Sequence, residues 1–195
     1  MYFFVKRLFE FLISFLSLIV ISPIIIIIGV LIRIESKGPV IYRTIKVGKN
    51  GRLFSLFKFR TMRMFNSEEN LKYLEKLKQQ KSSFEFLKTN NTSITRIGRF
   101  IRKFNLDNLP NIINVLLGDM SYVGPVSPSP YQYENYTDEQ KKILRFRPGI
   151  IHPWSFLPRE TLTYEEIMRI ELDYSRTVSF LYDIKIFIRS FKKFI

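Results

Sequence analysis

The chain has 195 residues, enough for one domain and an appendage. Its 31 Lys and Arg outnumber 17 Asp and Glu, a formal charge of +14, which suits an anionic partner: nucleic acid, an acidic lipid surface or a phosphorylated substrate. With no Cys and one His, His152, the chain can form neither disulfides nor Cys or His metal clusters, so catalysis falls to carboxylates, hydroxyls or a carboxylate-held metal.

Residues 11–32, FLISFLSLIVISPIIIIIGVLI, carry no charge. As a helix they would be about 33 Å long, matching the roughly 30 Å hydrocarbon core of a bilayer. Ser22-Pro23 interrupts the middle. Proline lacks an N–H and clashes with the preceding turn, and each half alone, about 17 Å, is too short to cross. Lys6 and Arg7 precede the run and Arg33 and Lys37 follow it; such flanks favour the cytoplasmic side. A hairpin that enters and returns satisfies both flanks, and a spanning helix only one. The expectation is a re-entrant membrane helix over 1–37, broken at Ser22 and Pro23, followed by a cytoplasmic domain over 38–195. The freed carbonyls need partners, for which the Ser14, Ser17 and Ser22 hydroxyls are available.

Residues 39–60 alternate apolar and polar on both sides of GKNG, which predicts a β-hairpin. Residues 66–90 are rich in Lys, Glu and Gln and predict a solvated helix or excursion without chemistry. In 93–104 a helix would align Ile94, Ile97, Ile101 and Phe104 opposite Arg96, Arg99, Arg102 and Lys103; a solvated basic helix and one lying at a lipid surface are both open. Residues 105–120, NLDNLPNIINVLLGDM, hold an apolar helix ending near Gly118. Its start is either at an Asn105 cap or at Pro110 in the first helical position. In either case Asp107 lies at the positive end of a helix, where an ionised carboxylate is stabilised. The stretch 179–195 alternates Phe180, Ile184, Phe187, Ile188 and Phe191 with Lys185, Arg189, Lys192 and Lys193, the pattern of an interfacial helix. The whole predicts an α+β, mainly α fold: an N-terminal re-entrant membrane hairpin, a small β-hairpin or sheet, and amphipathic interfacial helices.

Ordered blocks along nearly the whole chain resemble the monotopic bacterial sugar transferases, the polyprenyl-phosphate phosphoglycosyltransferases. The blocks are KRLFEFLISFLSLIVISPIIIIIGVLIRIESKGPVIY, VGKNGRLFSLFKFRTM, TRIGRFIRKFNLDNLPNIINVLLGDMSYVGP, RFRPGI, LTYEEIMRIELDY and SFLYDIKI. The resemblance implies an enzyme at the cytoplasmic face of the bacterial inner membrane. Such an enzyme moves a sugar-1-phosphate from a UDP-sugar to undecaprenyl phosphate, through a covalent phosphosugar on the Asp of an Asp-Glu pair, with Mg²⁺ assisting. Asp107 falls on that nucleophile. Lys58, Arg60, Arg102, Arg145 and Arg147 fall on or beside basic positions and are expected to hold phosphate oxygens. The implied partners are the UDP-sugar, undecaprenyl phosphate and membrane lipid, with a homodimer compatible. No nucleic-acid motif accompanies the charge, so nucleic acid is not expected.

The chain departs from the family at the chemistry. Asn108 stands where the family has Glu; its amide oxygen can ligate Mg²⁺ but brings no charge, and hard cations prefer charged oxygens. Asp119 or Asp173 could replace the missing carboxylate. Val126 stands where a GPRP arginine is expected, and Thr44-Ile45-Lys46 replaces a Gln-x-Arg. This is the pattern of a kept fold with altered or lost catalysis, so a binding or partner protein in polysaccharide biosynthesis is the alternative to an active transferase.

Overall fold

The computed structural model describes residues 2–63, 94–158 and 162–192. The excursion at 66–90 lies outside the described residues. In chain order the elements are α1 (Tyr2–Glu35), β1 (Ile41–Val47), β2 (Leu53–Phe59), α2 (Arg96–Lys103), α3 (Asn111–Leu117) and β3 (Ser121–Val123). They continue with α4 (Pro130–Glu134), α5 (Asp138–Lys141), β4 (Gly149–Ile151), α6 (Tyr164–Thr177) and α7 (Phe180–Lys192).

The first helix is long and apolar enough to cross a membrane. It runs continuously through Pro23 instead of dividing into two. The carbonyl that Pro23 would have bonded is that of Ile19, and the Ser22 hydroxyl donates to it at 2.8 Å. The hydroxyl thus substitutes for the missing N–H, which is how a proline is tolerated within an apolar helix. Both ends of α1 dock on the rest of the chain. Near the start, Lys6 pairs with Asp183 at 2.5 Å, and the Arg7 guanidinium donates to the carbonyls of Val115 and Leu116. The Glu10 carboxylate accepts from the Ser121 hydroxyl and the Tyr122 N–H. Near the other end, Ile28 and Ile32 share a core with Phe59 and Ile101. Glu35 accepts from the N–H groups of Arg96 and Ile97, so the end of α1 caps the start of α2. The middle, including Leu16, Ile19, Val20, Ile26 and Ile27, is exposed.

β1 and β2 form the expected antiparallel hairpin, Ile41 opposite Phe59 and Val47 opposite Leu53. Its turn needs left-handed backbone at Asn50 (φ 56°) and Gly51 (φ 79°), residue types that adopt it at low cost. Phe54 and Leu56 pack on Val115 and Met120, which lays α3 across the hairpin. Asn114, wholly buried, secures that packing: its Oδ1 accepts from the Phe57 N–H at 3.0 Å and its Nδ2 donates to the Ser55 carbonyl at 2.7 Å. One side chain thereby satisfies two backbone groups on the open edge of β2. The helix stops at Gly118, left-handed at φ 91°, as expected from sequence.

A second sheet was not foreseen. β3 and β4 are parallel, Ser121 opposite Gly149 and Val123 opposite Ile151. Gly124 and Gly149 permit the crossing, since a Cβ on Gly149 would lie 2.1 Å from the Gly124 nitrogen.

Two helices turn apolar surface outward. In α2, Ile101 is buried, whereas Phe100 and Phe104, the residue that caps the helix end, are exposed with rings 5.0 Å apart; the sequence pattern aligned Phe104 with Ile101 on one face. In α7 the docked face is Asp183, Ile186 and Ser190, while Leu181, Ile184, Phe187 and Ile188 are exposed. Apolar stripes beside basic residues suit a headgroup boundary better than water.

Candidate active site

Asn105, left-handed at φ 53°, leads into a single 3₁₀ turn, Leu106–Asn108, ahead of α3; Pro110 is the cap of that helix and Asn111 its first residue, so neither an Asn105 cap nor Pro110 in the first helical position is found. Asp107 therefore sits in the turn before α3 and not in its first turn. Because Asn114 pins α3 to β2, the acid is held over the far end of that strand. Its side chain is 18% exposed, and Lys58 Nζ lies 4.0 Å from its Oδ2. Burial raises the Asp107 pKa above its ordinary value, opposed by Lys58 and Arg102. The Arg102 guanidinium is steadied by donating to the Thr61 hydroxyl at 2.9 Å. Lys46 stands on the same face of the hairpin as Lys58, as their pairing with Phe54 and Tyr42 requires. Burial and the Lys58 charge both lower the Lys46 pKa. Asn108 is half-buried, and its Oδ1 faces Asn111 Nδ2 at 3.4 Å.

The other basic residues expected to hold phosphate lie elsewhere. Arg60 is 5% exposed and donates to the Ser36 and Lys37 carbonyls and the Ser36 hydroxyl, clamping the end of α1. Arg145 and Arg147 line a separate cavity of about 110 Å³ with Lys6, Lys49 and Glu10, and Arg147 Nε donates to the Gly118 carbonyl at 2.7 Å. Asp119 lies at the opposite end of α3 from Asp107, where it and Arg147 both act on Arg7. Asp173 pairs with Arg176 on α6. Among the described residues, the charges acting on Asp107 are those of Lys58 and Arg102, and neither of these two acids is one of them.

Two buried polar residues escaped the sequence reading. Asn114 stood in an apolar run, NIINVLLG, where a lone amide was a usable signal. Glu171 is 1% exposed and accepts from the Val126 N–H at 2.9 Å and Trp154 Nε1 at 3.1 Å. It ties the segment after β3 to the segment after β4.

The donor set at Asp107 does not suit a resident Mg²⁺. One carboxylate, already faced by an ammonium and a guanidinium, stands beside a neutral amide, while hard divalent cations favour several anionic oxygens. Among the described residues no group of three or more His, Asp or Glu could hold a metal.

The chain thus combines a helix long and apolar enough to cross a membrane, docked at both ends, with outward apolar helix faces and a partly buried carboxylate near Lys58 and Arg102. The family model described as bacterial sugar transferase matches residues 1–195, and the chain belongs to that family. The chain is 35% identical over 192 residues to the undecaprenyl-phosphate galactose phosphotransferase of Salmonella typhimurium, covering 97% of this chain and 40% of that protein. It is 37% identical over 202 residues to the UDP-glucose:undecaprenyl-phosphate glucose-1-phosphate transferase of Klebsiella pneumoniae, covering 97% and 40%. With the galactosyl transferase CpsE of Streptococcus agalactiae serotype III it shares 35% identity over 156 residues, 80% of this chain and 34% of the relative. The chain thus spans two fifths or less of the length of these three relatives.

Proposed function

We propose that the protein transfers a sugar-1-phosphate from a UDP-sugar to undecaprenyl phosphate at the cytoplasmic face of the bacterial inner membrane. The observation that carries this is Asp107: a half-buried carboxylate 4.0 Å from Lys58 and under the influence of Arg102, ahead of a helix pinned to the hairpin. Lys58 and Arg102 oppose the burial that raises the Asp107 pKa and offset the carboxylate's repulsion from a diphosphate. An Asp107 oxygen attacks the β-phosphorus, forming an O–P bond as the bridging P–O bond breaks, and UMP departs with that electron pair. An oxygen of undecaprenyl phosphate then attacks the same phosphorus, breaks the aspartyl bond and restores the carboxylate. No net proton is required in either step, and one difficult displacement becomes two easier ones.

The lipid acceptor explains the outward apolar faces of α2 and α7. The two-ended docking of α1 supports a re-entrant placement: both ends meet one domain, with exposed apolar residues between them. The test is incubation of the detergent-solubilised chain with a panel of radiolabelled UDP-sugars and undecaprenyl phosphate. Release of UMP and a lipid-linked sugar, both lost in Asp107→Asn, is the expected outcome; full turnover by Asp107→Asn overturns the assignment. Asn108 favours a second reading, an inactive relative that binds the same molecules. That reading gains if the natural chain is silent and Asn108→Glu turns over.

A further inference from the structure

We infer that the cavity beside the start of α1 binds the phosphate of an anionic phospholipid, held by Lys49, Arg145 and Arg147 and separate from the site at Asp107. The cavity, of about 110 Å³, is walled by the start of α1, the hairpin turn, β3, the segment leading into β4 and the end of α6. That is the volume of a few water molecules, room for one phosphate group with the rest of the ligand outside. Arg147 bonds the Gly118 carbonyl, so the cavity lies at the far end of α3 from Asp107. The seven residues of α3, about 10 Å of helix, separate the two. A phosphate seated here is out of reach of the Asp107 carboxylate.

The acids around the cavity already have partners. Asp183 pairs with Lys6 and accepts from the Tyr174 hydroxyl at 2.8 Å, while Lys6 also donates to the Val123 carbonyl at 3.2 Å. Glu10, the one acid among the described lining residues, accepts from the Ser121 hydroxyl and the Tyr122 N–H, with Lys6 3.9 Å away. The cations opposite are open. Arg147 donates through Nε to the Gly118 carbonyl at 2.7 Å, which fixes the guanidinium plane and leaves its Nη groups without a partner among the described residues. Lys49 and Arg145 are exposed and, among the described residues, have neither an acidic nor a hydrogen-bonding partner. Two guanidinium groups and an ammonium set around one concavity suit the oxygens of a phosphate.

The kind of phosphate follows from what borders the cavity. Just beyond Lys6 the exposed residues of α1 are apolar: Leu8, Phe9, Phe11 and Leu12. The start of α7 lies beside them, the rings of Phe9 and Phe180 meeting edge-on at 6.4 Å, with Leu181 and Ile184 exposed. The open cations thus stand where apolar surface begins, the level of lipid headgroups. A soluble anion would neutralise the cations and leave that surface bare. A phospholipid does both, its acyl chains covering α1 and the start of α7.

The full chain in a nonionic detergent is titrated with phosphatidylglycerol or with phosphatidylcholine and followed by native mass spectrometry. One phosphatidylglycerol per chain should be retained, bound about tenfold or more tightly than phosphatidylcholine. Lys49→Ala and Arg145→Ala should each weaken it about fivefold; both side chains are exposed, so neither change disturbs the core. Lys49→Arg, which keeps the charge, should bind as the natural chain does. Lys185→Ala removes an equal charge from the exposed side of α7, away from the cavity, and should change binding less than twofold. Inorganic phosphate and UDP, added as competitors, should not displace the lipid. Equal retention of the two lipids, equal weakening by Lys185→Ala, or displacement of phosphatidylglycerol by phosphate or UDP overturns the inference. No readout involves sugar transfer, so the transferase reading stands or falls separately, on UMP release.

Discussion

Glu171 gives the protein a stability signature that pH can read. Its carboxylate is 1% exposed and accepts from Val126 N–H and Trp154 Nε1. Burial nevertheless dominates these two bonds and pushes its pKa from the ordinary 4.5 up to about 7. The folded protein therefore keeps a proton on Glu171 at pH values where the unfolded chain has released it. Stability from this group is fully present below pH 4.5 and is lost as pH rises through about 7. The gap between those values corresponds to about 3 kcal/mol. Glu171→Gln keeps an acceptor oxygen for both donors and removes the ionisation. Paired denaturation curves of the natural chain and the variant, taken in detergent between about pH 4.5 and pH 8, isolate the effect from other carboxylates. Relative to the natural chain, the variant should gain stability as pH rises, reaching about 3 kcal/mol, or about 6–12 °C in Tm, and then level off. A difference that stays constant across the series would show that burial does not control Glu171, and the reasoning would fall.

Three further outcomes follow from the site and the membrane helix. Asn114→Ala removes both bonds to the edge of β2 and should cost about 2–4 kcal/mol by denaturation, since two buried backbone groups lose their partners. Because burial raises the Asp107 pKa while Lys58 opposes it, UMP release should fall as pH drops through a value above the usual carboxylate range. Lys58→Ala should move that limb to higher pH, and a pH–rate profile unchanged by the substitution would separate Lys58 from Asp107. The natural chain has no Cys, so single Cys residues at Lys6 and Lys37 can be labelled without background. Both should react with a membrane-impermeant maleimide from the same side of sealed inverted vesicles; labelling from opposite sides would mean that α1 spans.

The parts of the fold that announced themselves were those with strong periodicity. Alternation around GKNG gave the hairpin because its inward residues, Phe54 and Leu56, pack on one face. The apolar run gave α1, and of the three hydroxyls available, Ser14, Ser17 and Ser22, it is Ser22 that takes up the carbonyl freed by Pro23. Short elements left weaker traces. β3 and β4 have three residues each, too few for a period. The capping boxes Ser129–Gln132, Thr137–Gln140 and Thr163–Glu166 were readable starts for α4, α5 and α6. At the candidate site, the sequence pointed to Asp107 with five basic residues, of which the structure sets Lys58 4.0 Å away and Arg102 within electrostatic reach. Arg60 and Arg7 bond backbone carbonyls at helix ends, and composition does not distinguish such a guanidinium from one awaiting phosphate. Likewise Lys6 read as a membrane-flanking charge, yet it forms an ion pair with Asp183, 177 residues away. Pairings of that separation depend on tertiary packing and leave no local pattern.

The most direct measurement is intact-protein mass spectrometry after mixing the chain with a UDP-sugar donor in the absence of undecaprenyl phosphate. The expected result is an adduct with the mass of one phosphosugar, mapped to Asp107, formed together with UMP and discharged when undecaprenyl phosphate is added. An adduct on another residue, or UMP release by Asp107→Asn equal to that of the natural chain, would contradict it.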